Sequence, residues 1–332
     1  MFPRNTWYVA AATHEVGRAL LKRRIAEEPI VLYRTEAGAP VAMLDLCPHR
    51  HAPLSLGRLV GDAVECGYHG ITFGADGKCV RIPGEQKVLE RFAASTFPAI
   101  ERWGFVWIWL GEKTQADEAR LPAAFKWQTE PDWCPLDGYV HVDGHYQLLI
   151  DNLLDLSHEA FAHHGTIGNA AVAETPCTTT VSDNSIEVFR YMEDCAPPSL
   201  FVKAAGFDTN IDRHQKISFY PPCFVVIEVW AKPTGTDEKR LIWWVLNALT
   251  PETTGSTHYF WALPRGFRQD DAALTELLRA GIYRTFAEDK VIIEAQQERL
   301  ERSPLDKRSV FTSADQAPTR ARQMVAAMLD RN

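Results

Sequence analysis

Two short mixed pairs of cysteine and histidine constrain this chain more than anything else in its 332 residues. They are Cys47-Pro48-His49 and, after sixteen intervening residues, Cys66-Gly67-Tyr68-His69. Each pair offers one thiolate and one imidazole from a single tight loop. Two such loops closing on a two-iron rhomb put both sulfurs on one metal and both nitrogens on the other, the ligand set of a mixed-ligand [2Fe–2S] cluster. A structural zinc site also uses two Cys and two His, but zinc fingers group Cys with Cys and His with His. A tetrahedral ion has no need of the mixed order. Replacing two thiolates by neutral imidazoles raises the reduction potential to roughly −150 to +300 mV, so such a centre moves single electrons.

The stretch from Cys47-Pro48-His49-Arg50 to Cys66-Gly67-Tyr68-His69-Gly70 resembles the cluster domain of the Rieske non-haem iron oxygenases. In that family a catalytic iron lies beyond the cluster domain, on a run written acid-x3-Asp-x2-His-x4-His. This chain has Asp151, Asp155, His158 and His163 at that spacing. The chemistry explains the residue types, because two histidines and one carboxylate on one face of Fe(II) leave the opposite positions open for dioxygen and substrate. The resemblance places the carboxylate far downstream, in Phe286-Ala287-Glu288-Asp289-Lys290, with Asp289 the matching residue and Glu288 and Glu294 its rivals.

His158 and His163 are five apart, so on a regular helix at about 100° per residue they leave one another's face. A ligand helix over roughly 148–164 must therefore end or bulge between them, and we expect the irregularity at Ala160 to Ala162. His164 is expected to take a surface or outer-sphere role. Asp155 precedes His158 by three residues, within side-chain reach. In the family the matching Asp bridges two metal centres, which implies a head-to-tail homotrimer. His69 or His49 of one copy would then meet Asp155 of the next, and Asp155 would hydrogen-bond His158. Asn152, one turn earlier, would neighbour the iron or face water.

The resemblance also implies a separate reductase, dependent on NAD(P)H and carrying flavin and a plant-type [2Fe–2S] cluster. The chain itself has no Gly-rich dinucleotide fingerprint and no third cysteine cluster. A net charge of −8 and no Lys/Arg run argue against nucleic acid as a partner. Cys79, Cys134, Cys177, Cys195 and Cys223 are scattered singly, as buried thiols of a reducing compartment are. The start Met1-Phe2-Pro3-Arg4-Asn5 has no apolar signal segment, and no run of about eighteen apolar residues follows. The expectation is a cytoplasmic protein with no membrane contact.

Two domains suit the length. Residues 1–112 read as a small antiparallel β domain, with strands at Trp7 to Ala10, Pro29 to Tyr33, Val41 to Leu46 and Phe105 to Leu110, and a hairpin at Asp76-Gly77. Residues 113–138 read as a polar connector and 139–332 as the catalytic domain. In the latter, strands are expected at Thr178 to Tyr191, Gln215 to Tyr220, Phe224 to Ala231, Leu241 to Leu249 and His258 to Leu263, with helices after Asp270. The fold class is α+β: an all-β Rieske [2Fe–2S] domain, then a helix-grip, START-like domain in which a curved antiparallel sheet holds a long C-terminal helix.

Further stretches are similar to the aromatic-acid demethylase branch, the vanillate O-demethylase oxygenases above all. They include Asn5-Thr6-Trp7-Tyr8-Val9-Ala10, Ala52-Pro53-Leu54-Ser55-Leu56-Gly57, Ile150-Asp151-Asn152-Leu153 and Leu249-Thr250-Pro251-Glu252. That resemblance implies a terminal oxygenase that removes the methyl group of a methoxylated aromatic acid with O2, releasing formaldehyde and a phenol. Aryl-methyl hydroxylation, as on toluenesulfonate, and N-demethylation are the neighbouring reactions. A non-catalytic Rieske electron carrier is the reading from another class, and it would leave His158, His163 and Asp289 idle. Arg213, His214, Asn247 and Arg265 are candidates to meet a substrate carboxylate, with Trp244 and Phe260 as an aromatic wall.

Overall fold

The computed structural model describes residues 1–88, 91–163, 165–302 and 310–330, so His164 lies outside the described residues. The chain forms two units, the first Met1–Leu121 with Thr250–Thr253, the second Pro122–Leu249 with the described chain from Thr254 onward.

Among its described residues the first unit is all β apart from single 3-10 turns. Its strands are β1 (Thr6–Ala12), β2 (Leu21–Ile25), β3 (Glu28–Arg34), β4 (Pro40–Leu44), β5 (Arg58–Val60), β6 (Ala63–Glu65), β7 (Thr72–Phe73), β8 (Cys79–Arg81), β9 (Thr96–Phe97), β10 (Ala99–Arg102) and β11 (Phe105–Leu110). They form three small antiparallel sheets, ordered β1-β11-β10, β2-β3-β4-β9 and β5-β6-β7-β8. Every residue of β1 and β11 is buried, which is why both read as unbroken apolar runs rather than as alternation. Trp107 and Trp109 are core, and Trp103 instead takes a positive φ in the turn from β10 to β11. The expected hairpin at Asp76-Gly77 is present between β7 and β8, with Gly77 at φ +82° and its N–H on the Gly74 carbonyl at 2.8 Å. Strands of two to four residues escaped the sequence reading because they are too short to show a period.

The second unit is built on one seven-stranded antiparallel sheet. Its strands are β12 (Asp137–Val142), β13 (Thr178–Val181), β14 (Ile186–Cys195), β15 (Ile211–Tyr220), β16 (Phe224–Pro233), β17 (Leu241–Thr253) and β18 (Ser256–Ala262), in the order β12-β18-β17-β16-β15-β14-β13. The single strand expected over Thr178 to Tyr191 is a hairpin, since Val181 pairs with Ile186. The Asp183-Asn184 pair favours a turn over continued alternation, and Ser182 N–H bonds the Ser185 carbonyl at 2.9 Å to close it.

Its helices are α1 (Tyr146–Leu154), α2 (Glu159–Ala162), α3 (Ala170–Glu174), α4 (Ser199–Ala205), α5 (Ala272–Arg302) and α6 (Gln316–Leu329). The long helix α5 buries Leu274, Leu278, Ile282, Phe286, Asp289 and Ile293, one stripe at three- and four-residue steps. Phe286 packs on Tyr259 and Trp261 of β18, with ring centroids 4.7 and 5.8 Å apart. A sheet gripping this helix is the expected helix-grip architecture. No described helix is long and apolar enough to cross a membrane.

Candidate metal centres

The first centre is made by two loops of the first unit. Cys47 N–H bonds the Ala52 carbonyl and His51 N–H the Cys47 carbonyl, both at 2.8 Å, which curls the first loop. The second loop repeats the pattern, Cys66 N–H to the Ile71 carbonyl at 2.8 Å and Gly70 N–H to the Cys66 carbonyl at 3.0 Å. Gly70 adopts φ +69°, and a Cβ on Gly67 would stand 2.7 Å from the Leu56 carbonyl oxygen, so both glycines are required by the turn. Asp45, buried, accepts from Ser55 N–H at 2.6 Å and Ser55 Oγ at 2.7 Å and so braces the segment after the first loop.

Burial then sorts the four groups. Cys47 and Cys66 are buried and touch one another; burial pushes the Cys47 thiol up, with the neighbouring sulfur adding to it. His49 and His69 are exposed, with ring centroids 4.8 Å apart. Two sulfurs inside and two imidazoles outside fit a rhomb whose inner iron takes thiolates and whose outer iron takes nitrogens. Tyr68 lies on His69, ring centroids 3.9 Å apart, and is itself exposed.

The second centre is in the second unit. The ligand segment ends at Ala162, where the sequence reading puts an irregularity, but it is not one helix, for it also breaks earlier, at Asp155. Asp155 leaves α1 with φ −96° and ψ 98°, a 3-10 turn covers Leu156–His158, α2 supplies one further turn, and His163 ends it with φ −115° and ψ 27°. The physical reason is capping. The Asp155 carboxylate accepts from Ser157 N–H at 2.8 Å and Ser157 Oγ at 2.6 Å, which starts a new turn more favourably than it extends the old one.

His158, His163 and Asp289 come together, each offering one ligand atom within 4.8 Å of the others. Asp289 Oδ1 lies 3.1 Å from His163 Nε2 and 3.6 Å from His158 Nε2. The outer ring nitrogens are held elsewhere: His158 Nδ1 contacts the Asp155 carbonyl, and His163 Nδ1 lies 2.8 Å from Glu288 Oε2. Asn152 Nδ2 donates to Asp289 Oδ1 at 3.0 Å. Burial pulls the His163 pKa down, but Asp289 and then Glu288 outweigh it and leave it raised. Negative charge that favours a proton here also favours a metal cation. Of the two rival acids, Glu294 is engaged by Asp143 N–H at 2.9 Å and Lys290 at 3.4 Å, away from both histidines.

Asp155 sits beside His158, but through its main chain, so the expected carboxylate–His158 hydrogen bond is absent from this arrangement; Ser157 holds the carboxylate instead. A cavity of about 530 Å³ opens at Asn152, Asp155 and His158, walled by Ile292, Phe311 and Arg322.

The residues nominated for a substrate carboxylate are already committed. Arg213, buried, pairs with the buried Glu159 at 3.2 Å; Arg265 donates to the Arg268, Gln269 and Asp271 carbonyls; Asn247 donates to the Val225 carbonyl at 2.9 Å and accepts from Tyr259. His214 stacks on Trp230. Trp244 stacks on Trp127 while Phe260 packs on Tyr139, so the two rings belong to different aromatic groups rather than one wall. A residue the sequence did not flag, Trp261, is fully buried with its indole N–H lacking a hydrogen-bond partner.

A mixed Cys/His cluster fold and a His-His-Asp group on a helix-grip fold, in one chain, define a Rieske-type oxygenase. Comparison with known proteins agrees. Residues 6–98 match the model of the Rieske [2Fe–2S] domain, and residues 142–331 that of the vanillate O-demethylase oxygenase C-terminal domain. The oxygenase subunit of vanillate O-demethylase from Pseudomonas sp. is 39% identical over 90% of this chain and 87% of its own. The iron-sulfur subunit of a toluene-4-sulfonate monooxygenase system from Comamonas testosteroni is 34% identical over 99% of this chain and 97% of its own. A crystal structure of dicamba monooxygenase bound to dicamba superposes with a TM-score of 0.92 at 32% identity, over 99% of this chain and 98% of that one. The chain belongs to the vanillate O-demethylase oxygenase family of Rieske monooxygenases. It is an oxygenase component, and its cofactors are a Rieske [2Fe–2S] cluster and a mononuclear non-haem iron.

Proposed function

We propose that this chain is the terminal oxygenase of a multi-component system that O-demethylates a methoxylated aromatic acid, vanillate or a close analogue, releasing formaldehyde. The observation that carries the reading is the His158, His163, Asp289 group, whose outer nitrogens are already held by acceptors so that both Nε2 atoms converge on one carboxylate oxygen. The named relatives act on vanillate, dicamba and toluene-4-sulfonate, which supports an aromatic acid over other substrate classes.

In this reading Cys47 and Cys66 would hold one iron of the cluster and His49 and His69 the other, while His158, His163 and Asp289 would hold the mononuclear iron. A ferrous ion held by these three residues would supply the dioxygen activation. The protein orients. Asn152 fixes the Asp289 oxygen, the Asp155 carbonyl and Glu288 fix the two rings, and the apolar contact of Phe286 with Tyr259 and Trp261 keeps water from the sheet side of α5.

The proposed assembly is a homotrimer in which His69 or His49 of one copy would face Asp155 of the next. Support comes from charge: residues 1–121 carry 15 basic and 14 acidic side chains, so residues 122–332, with 20 basic and 29 acidic, carry a net −9, and it is in that acidic part that the exposed His69 of a neighbouring copy would meet Asp155. Electrons reach the cluster from a separate reductase carrying flavin and a plant-type [2Fe–2S] cluster.

The test is turnover of the reduced holoenzyme with vanillate, NADH and a partner reductase under air, read as formaldehyde per NADH. Demethylation predicts stoichiometric formaldehyde. Hydroxylated product without formaldehyde would move the chain to aryl-methyl chemistry. His163→Ala should lose the mononuclear iron and turnover yet keep the cluster spectrum; unchanged turnover would sink the site assignment and favour the electron-carrier reading.

A further inference from the structure

The two histidines of the second centre are held differently. His158 Nδ1 faces a neutral group, the Asp155 carbonyl, whereas His163 Nδ1 faces a carboxylate, Glu288 Oε2, at 2.8 Å. Glu288 and Asp289 are adjacent on α5, so one helix sends one acid to the metal side of His163 and the other to its far side. His163 is almost fully buried and Glu288 only partly, which places this contact at the edge of the core, where a charge-assisted hydrogen bond is stronger than at the surface. Thr166 adds a contact to the same carboxylate oxygen at 3.4 Å while its hydroxyl also reaches the His163 carbonyl at 3.3 Å. The acid is thus held in place from the loop that follows His163.

We propose that Glu288 is a positioning residue for the mononuclear iron: by accepting the Nδ1 proton of His163 it fixes the tautomer with the Nε2 lone pair toward Asp289, and its charge makes His163 the stronger of the two imidazole donors. A carboxylate behind a ligating imidazole orients the ring and raises its basicity, and loss of such a partner commonly lowers metal affinity by about 10–100-fold. A carbonyl, as behind His158, orients without adding charge. The centre is therefore electronically uneven, with the weaker donor on the Asp155 side.

The inference rests on His163 being an iron ligand, and the experiment separates the two claims. Ferrous iron affinity is measured anaerobically by chelator competition on the full chain with its cluster, for wild type, Glu288→Gln, Glu288→Ala and His163→Ala. Glu288→Ala should weaken binding by about 10–100-fold. Glu288→Gln, which keeps an acceptor but not the charge, should fall between it and wild type. The ferrous nitrosyl EPR signal should shift in both Glu288 variants, while the cluster spectrum and the thermal midpoint of the iron-depleted protein stay as in wild type. If His163→Ala loses iron and the Glu288 variants bind it as wild type does, the positioning role is wrong. If His163→Ala also binds iron normally, the ligand assignment itself fails.

Discussion

Asn152 Nδ2 donates to Asp289 Oδ1 at 3.0 Å, the same oxygen that lies 3.1 Å from His163 Nε2. The contact joins α1 to α5 across 137 residues of sequence, and it leaves the other Asp289 oxygen to choose its own partner. An amide in this place holds the carboxylate without competing for the metal. Asn152→Ala is therefore expected to keep the fold and the cluster but to weaken ferrous iron binding by about tenfold, the lower end for loss of an outer partner. Iron content after dialysis against a weak chelator checks it; full retention would show that Asp289 needs no help.

How much of this was readable beforehand depends on what each feature rests on. The four cluster ligands announce themselves because their chemistry fixes residue type and spacing together, whereas His158 and His163 were picked out by the spacing that the family resemblance supplies. Asp289 needed a family resemblance, since one acid on an amphipathic helix carries no signal of its own. The five-residue step between the histidines located the helix end at Ala162; the earlier break at Asp155 was missed, although Asp155-Leu156-Ser157 contains the capping signal that makes it. Glu288 as partner of His163 could not be read, because the pairing joins residues 125 positions apart. Arg213 and Arg265 looked like free donors in sequence and are internal braces in the fold.

The Glu159 carboxylate sits between the two histidines in sequence and points the other way, into a buried pair with Arg213 at 3.2 Å and a hydrogen bond to Gln215. It ties the single turn of α2 to β15. Removing one partner of a buried ion pair strands the other charge, typically at a cost of about 3–5 kcal/mol. Glu159→Ala should thus be strongly destabilising, seen as a lower denaturant midpoint, whereas Glu159→Ala with Arg213→Met should recover most of the loss. Equal loss in single and double variants would show that packing, not charge, holds α2.

His145 gives the stability a pH dependence. Burial, with the nearby Arg322 charge, pushes its pKa down from 6.5 to about 4. A depressed histidine pKa means that the unfolded chain takes the proton first. The stability it confers is present in full above pH 6.5 and is lost as pH falls toward 4. The shift corresponds to at most about 3 kcal/mol at 1.36 kcal/mol per unit, and on the order of 1–2 kcal/mol once the half-buried ring is allowed for. His145→Asn, which keeps a side-chain acceptor for Gln147 N–H, should flatten that part of the curve; urea unfolding at pH 7, 5.5 and 4.5 measures it, and an unchanged slope would exonerate His145.

Asp155 is the residue through which the proposed trimer would conduct. Its carbonyl contacts His158 Nδ1, and its carboxylate, held by Ser157, is the side-chain group next to that ring able to receive an imidazole from a neighbouring copy. Asp155→Asn leaves the carbonyl untouched and keeps an oxygen for Ser157, so both metals and the local turn should survive. What is lost is the negative charge at the contact. Reduced enzyme mixed with substrate and air in a single turnover is then expected to keep its cluster reduced, with product formation cut by at least tenfold, while iron content equals that of wild type. Normal oxidation of the cluster in this variant would mean that electrons reach the mononuclear iron by another route.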